Sequence, residues 1–134
     1  MALNTEQLSK CIATLDKSLQ LLNTVESSSL EYEIFRNATV KGFELTIETA
    51  GKLLRKKLKS YFTLPREVDD LIFKDVLRYA STYGLLQANE VKRWFKYRDN
   101  RNNTAHDYGV GFAEETLKLL PEFINDVKQL QKKL

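Results

Sequence analysis

This chain is poor in the residues that give proteins special chemistry. Its 134 residues include one cysteine, one histidine, two prolines and five glycines. The single cysteine, Cys11, excludes an intramolecular disulfide, and its place on an apolar helical face predicts a buried thiol. One histidine and one cysteine cannot complete a structural zinc site within one chain. So little proline and glycine argues against a loop-rich or all-β protein. No apolar run approaches the roughly 18 residues of a membrane span. The start, MALNTEQLSK, lacks the charged and apolar regions of a signal peptide. These absences predict a cytoplasmic protein that does not enter a membrane. The formal net charge is only +3, short of the basic balance of a dedicated duplex-DNA binder.

What is present is helical pattern. Hydrophobic residues make up 43% of the chain, enough for one core and a single domain over 1–134. Leu8, Cys11, Ile12, Leu15, Leu19 and Leu22 recur at three- and four-residue steps and predict a helix over about 4–23, with Asn4 or Thr5 as its cap. A polar break with three serines follows, any of which can cap a long second helix over about 29–61. Glu48 and Lys52 are spaced to pair along that helix. Gly42 and Gly51 inside it each cost about 1 kcal/mol against alanine, which points to close backbone approach by a neighbour. The run RKKLK at 55–59 reads as a solvated helix end, with an RNA-facing patch as the alternative.

Pro65 opens a third helix with an acidic first turn, an apolar face of Leu71, Ile72, Val76, Leu77 and Ala80, and a stop at Gly84. A fourth begins near Asn89 and is stopped by GVG at 109–111. A fifth covers about 112–133, with a kink or short break expected near Leu120 because of Pro121. The chain is therefore expected to be all-α: an up-and-down antiparallel bundle of four to five helices joined by short loops.

One stretch departs from this pattern. RDNRNNTAHDYGVG, 98–111, follows Trp94 and Phe95 and carries the only histidine. Histidine moves protons near neutral pH, and arginine presents a planar fork matched to phosphate oxygens. With no metal ligands beside them, the two residue types suit cleavage of RNA through its own 2′-hydroxyl. His106 would be general base or acid, Arg101 the phosphate holder, and Asn102 the residue that positions the phosphate or orients His106. On an unbroken helix, positions 101 and 106 point about 140° apart. They cooperate if the helix loosens near Asn103 and Thr104, or if two chains meet along it in a two-fold pair. The plain alternative is a polar helix end whose histidine is a cap or a surface residue. Tyr97 and Tyr108 flank the motif and can stack a base or pack in a core or interface.

The motif and its surroundings resemble those of the HEPN superfamily, whose pattern is an arginine, a polar residue and a histidine a few positions on. Arg101, Asn102 and His106 meet it, and DY after the histidine matches an extension that places a tyrosine at Tyr108. GFELTIETAGKLLRKKL is similar to the second-helix signature of the nucleotidyltransferase substrate-binding protein family, a HEPN branch, with Phe43, Glu44, Glu48, Lys52 and Leu53 in the expected places. YGLLQANEVKRWFKYRDNRNNTAHDY and FAEETLKLLPEFINDVKQL resemble its later blocks, so the likeness spans most of 30–130. Gly51 departs from it, standing where the family often has tryptophan.

The resemblance implies a HEPN-like, homodimeric helical bundle with both Arg–His motifs lining a shared cleft. It implies a minimal nucleotidyltransferase as partner, without cofactor or metal. In the toxin–antitoxin versions, a metal-independent endoribonuclease is silenced by addition of AMP to the tyrosine after the motif, here Tyr108. A second reading is a non-catalytic subunit that binds a nucleotide or substrate for the nucleotidyltransferase. A third is a helical interaction module whose motif serves only dimerisation. No Gly-rich phosphate loop, paired-carboxylate metal site or serine-nucleophile motif is present, so the chain is not expected to be the nucleotidyltransferase itself.

Overall fold

The first helix, α1 (Glu6–Leu22), starts where the pattern places it, and the Asn4 Oδ1 accepts from the Glu6 backbone N–H at 3.0 Å. Thr5 holds the capping position but makes no side-chain cap bond. The fold comes from a computed structural model that describes residues 2–106 and 110–134, and side chains at all of these except 103–106, 110 and 112. Of the three candidate serines, Ser29 caps α2 (Leu30–Leu58), its hydroxyl accepting from the Tyr32 N–H at 3.1 Å. A short 3-10 turn, Lys59–Tyr61, completes the long second helix.

The third predicted helix is split. Pro65–Asp70 is a 3-10 segment, and α3 (Phe73–Thr82) begins only after Leu71 and Ile72 leave helical geometry. Ile72 has extended backbone and stays 64% exposed, so it is not part of α3's apolar face; Val76, Leu77 and Ala80 are. Gly84, at φ 78°, ends α3 as expected. Here the Leu85 N–H reaches the Ala80 carbonyl at 2.8 Å, a bond that a left-handed residue makes possible.

The fourth helix is α4 (Ala88–His106), and Glu90 accepts from the Gln87 backbone N–H at its start. The fifth, α5 (Val110–Gln131), starts earlier than expected, so Val110 and Gly111 belong to a helix and not to a stop. It also runs through Pro121 unbroken, so of the two outcomes expected there, a kink or a short break, the break does not occur. Pro121 is exposed while Leu120, Phe123 and Val127 are fully buried, and that burial outweighs one lost helical hydrogen bond.

Antiparallel packing follows from which residues meet. Asn100 meets Thr116 and Arg93 meets Asp126, so α4 and α5 run in opposite senses. Arg101 meets Glu48 while Arg98 stacks on Phe73, which in turn fills the space at Gly51, so α4 also opposes α2. The termini come together, with the Leu3 N–H donating to the Leu134 carbonyl at 2.9 Å. The described residues thus form an all-α, up-and-down bundle of α1, α2, α4 and α5, with α3 on its flank and no strand. Phe43, Trp94, Tyr97 and Phe123 form its aromatic centre, with edge-to-face pairs such as Phe43–Phe123 at 4.9 Å and Tyr97–Phe123 at 5.0 Å.

Both interior glycines of α2 answer to close approach. A Cβ at Gly42 would lie 3.4 Å from Leu15 Cδ1, and one at Gly51 only 2.6 Å from Phe73 Cε2. Cys11 is half-buried rather than buried, at the edge of the α1–α2 seam with its sulfur 3.7 Å from Thr49 Oγ1. The basic run is not simply solvated. Arg55 donates to the Val68 carbonyl at 2.9 Å, Lys57 to the Leu134 carbonyl at 3.5 Å, and Lys59 pairs with Asp69 at 2.9 Å. Folding back of the 3-10 segment, which no local pattern revealed, supplies two of those three partners.

Candidate functional site

α4 carries the candidate motif, and it stays helical through His106. The loosened turn near Asn103 and Thr104 is therefore absent. Positions 101 and 106 are five steps apart on a continuous helix and about 140° around its axis. Asn102 is exposed. The His106 side chain and Tyr108 lie outside the described residues.

Arg101 is placed by α2. Its Nη2 meets Glu48 Oε1 at 2.6 Å, with the arginine side chain 23% exposed. Glu48 thus turns across to α4, where the sequence suggested a partner along its own helix. A charge-assisted bond this short, on a half-buried guanidinium, fixes the fork at the seam between the two helices. What Glu48 does was not visible from spacing, because the contact spans 53 residues of sequence.

One turn back, Arg98 is held differently. Its guanidinium lies over the Phe73 ring, 4.8 Å from the centroid. Phe73 reaches that place because Gly51 has no side chain to obstruct it. The departure at Gly51 therefore has a structural counterpart, an aromatic ring from α3 in the space a larger side chain would take. Burial lowers the Arg98 pKa from the ordinary guanidinium value, the neighbouring positive charge of Arg101 lowers it further, Glu48 opposes this, and Arg55 adds a smaller repulsion. Among the described residues, Arg101, Glu48 and Arg55 are thus the charges that act on Arg98 at this seam.

The other half of α4 is structural. Arg93 grips Asp126 with two bonds, Nε to Oδ2 at 2.8 Å and Nη2 to Oδ1 at 2.9 Å. The Tyr97 hydroxyl donates to the same carboxylate at 2.6 Å. The Asp126 side chain is only 3% exposed, and Glu122 sits 3.6 Å from Arg93. The hydrogen bond to Asp126 raises the Arg93 pKa, against an opposing effect of burial. Burial first, and then the bond to Asp126, raise that of Tyr97 well beyond the usual phenol range. Tyr97 is core, not a base-stacking surface. Asn100, inside the polar stretch, is also structural: it is buried and donates to Thr116 Oγ1 at 2.7 Å.

Among the described residues, no three histidine, cysteine, aspartate or glutamate side chains are grouped to hold a metal ion. None of the helices is long and apolar enough to cross a membrane, again among the described residues.

The chain is similar to known proteins in sequence and in fold. The sequence profile of the family described as nucleotidyltransferase substrate binding protein like matches residues 3–134. A Haemophilus influenzae protein named probable ribonuclease HepT is 24% identical over 126 residues, covering 91% of this chain and 85% of that protein. The solved structure of HI0074 from Haemophilus influenzae, described as revealing the fold of a substrate binding domain of a nucleotidyltransferase, superposes with a TM-score of 0.83 at 21% identity, covering 96% of this chain and 97% of that one. The crystal structure of ttk003001694 from Thermus thermophilus gives a TM-score of 0.72 at 27% identity, covering 94% of this chain and 97% of that one.

Proposed function

The chain belongs to the family of nucleotidyltransferase substrate-binding-like proteins, and from that premise we propose that it is a metal-independent endoribonuclease toxin, paired with a minimal nucleotidyltransferase that silences it. The observation that carries this reading is Arg101, fixed by Glu48 at 2.6 Å on the helix that ends at His106, with Asn102 exposed beside it. The name of the Haemophilus relative, probable ribonuclease HepT, supports it.

The working unit is a homodimer. Positions 101 and 106 diverge on one continuous helix, so a site using both draws them from two copies. Leu30, Ile34 and Leu45 support this: they are 68%, 54% and 46% exposed on α2. They lie within an arc of about 60° that also contains Glu48. A second copy on that stripe covers its apolar surface and brings two α4 ends together.

In the shared cleft, His106 of one copy takes the proton of the RNA 2′-hydroxyl. The 2′-oxygen attacks the adjacent phosphorus, and the bond to the 5′-oxygen breaks. The other copy's His106 returns a proton to that leaving oxygen, giving a 2′,3′-cyclic phosphate and a free 5′-hydroxyl. Arg101 holds the non-bridging oxygens as charge builds, and Asn102 positions the phosphate. AMP on Tyr108 adds bulk and negative charge two residues from His106, obstructing the cleft and competing for Arg101.

The test is cleavage of RNA by protein purified free of AMP and of its partner, beside His106→Ala. Wild type that leaves RNA intact, or a mutant that cuts as well as wild type, ends the ribonuclease reading. Intact mass after co-expression with a minimal nucleotidyltransferase is expected to rise by multiples of AMP, and not to rise with Tyr108→Phe. If RNA stays intact while calorimetry finds a bound nucleotide, the chain is the non-catalytic substrate-binding subunit.

A further inference from the structure

We propose that Arg98 and Arg55 form a second phosphate subsite beside Arg101, taking the phosphodiester of a neighbouring nucleotide on the same RNA strand. The proposal rests on the ribonuclease reading for its ligand, and on the seam between α2 and α4 for its geometry.

The first argument is charge. Arg98 lies over Phe73, whose ring sits against Gly51 of α2, and Arg55 stands one turn beyond Gly51 on that helix; Arg101, one turn beyond Arg98 on α4, engages Glu48. Among the described residues, Arg98 has an aromatic ring as its partner and Arg55 a backbone carbonyl. Asp99, the acid next in sequence to Arg98, pairs instead with Lys74 at 3.5 Å. Arg98 is half-buried and is repelled by the guanidinium charges of Arg101 and Arg55, and an anion beside it relieves that repulsion.

The second argument is preorganisation. Arg98 is stacked on Phe73, whose ring enters because position 51 is glycine. Arg55 is tied to the Val68 carbonyl at 2.9 Å. Stacking leaves the edge of a guanidinium, where its N–H groups are, open to oxygen acceptors. Arg98 and Arg101 are three residues apart, which puts their Cβ atoms about 5–6 Å apart on one helix face. Two forks at this spacing can follow consecutive phosphates along one strand.

A purely structural Arg98 would hold Phe73 in place and bind nothing. The discriminating measurement is binding, read apart from cleavage. A 2′-O-methyl RNA oligonucleotide, which cannot be cut through its 2′-oxygen, is titrated by fluorescence anisotropy at several salt concentrations. Arg98→Gln is expected to weaken binding about tenfold at low salt. It is also expected to reduce the slope of log affinity against log salt by about 0.7, the value for one phosphate contact on a single strand. Arg55→Gln shifts both in the same direction, and Arg98→Lys keeps the slope. If Arg98→Gln fails to fold by circular dichroism, Arg55→Gln and Arg98→Lys decide.

Unchanged affinity and slope in the glutamine variants overturn the subsite even if the protein cuts RNA. Arg98-dependent binding by a protein that cuts no RNA ends the ribonuclease reading and keeps the subsite. AMP and ADP, titrated by calorimetry, separate free nucleotide from RNA: nucleotide binding that needs Arg98, with no oligonucleotide binding, overturns the RNA assignment. A wild type that binds neither ligand overturns both.

Discussion

Arg93 and Arg98 stand on the same helix, both half-buried, and the protein treats them in opposite ways. Arg93 receives a buried carboxylate in bidentate geometry and a tyrosine hydroxyl on that same carboxylate. Arg98 receives an aromatic ring and two other arginines. The pKa of Arg93 is raised by its partner, and that of Arg98 is lowered by burial and by its neighbours. A guanidinium whose charge is matched inside the fold has nothing left to do but hold helices together. One held by a ring and repelled by two like charges is the group we propose for a phosphate. The half of α4 that carries Arg93 and Tyr97 is therefore architecture, and the half that ends at His106, the buried Asn100 apart, is the candidate site.

The largest expected effect separates those halves by activity. His106→Ala is expected to lower RNA cleavage by about 10²–10⁴-fold, with an unchanged midpoint in urea. A drop in both would place His106 in the architecture instead.

Asp126→Ala tests the other half. It takes the bidentate partner from Arg93, leaving Glu122 at 3.6 Å, and strands the buried Tyr97 hydroxyl, so a loss of about 2–3 kcal/mol is expected, below the cost of breaking a fully buried pair. Urea denaturation is the measurement, and a loss below about 1 kcal/mol would mean that water replaces the carboxylate easily.

Tyr97 makes the same point through pH. Its folded pKa is raised, so it stays neutral in the folded chain at pH values where the unfolded chain ionises. Its contribution is fully present below about pH 10 and is lost progressively as pH rises above that. Tyr97→Phe should flatten this part of the alkaline stability profile.

Gly51→Ala tests the link between the halves. Its Cβ would lie 2.6 Å from Phe73 Cε2, so the ring must shift. A cost of about 1–3 kcal/mol is expected from overpacking, together with weaker oligonucleotide binding through the displaced Arg98. Weaker binding without loss of stability would show that the ring moves freely and that Arg98 follows it. The smallest effect belongs to neither half: Ser29→Ala removes the α2 cap and should cost about 1 kcal/mol with no change in RNA binding.

Much of this could be read from residues in order. Leu8, Ile12 and Leu15 on one face gave α1, and Gly84 with its positive φ ended α3 where expected. The glycine pair in α2 pointed to close packing, and Leu15 and Phe73 occupy those places. Other elements resisted. Leu71 and Ile72 fit a helical face by spacing, yet they lie where the chain turns between a 3-10 segment and α3. Pro121 suggested a kink or a short break, and its neighbours' burial kept α5 unbroken. Glu48 looked like one half of a pair along its own helix and became the partner of Arg101. Local pattern is blind to such exchanges, because the competing partner comes from a segment far along the chain.

By itself, the sequence determined the helices and the motif. Helical periodicity and capping depend on residues within a few positions of one another, and Arg101, Asn102 and His106 lie within six consecutive positions. Only the tertiary structure decided which arginine is which. Arg93, Arg98 and Arg101 look alike on one amphipathic helix. Asp126 from α5, Phe73 from α3 and Glu48 from α2 set them apart. A charge is defined by what surrounds it in space, and those surroundings exist only once the helices have packed.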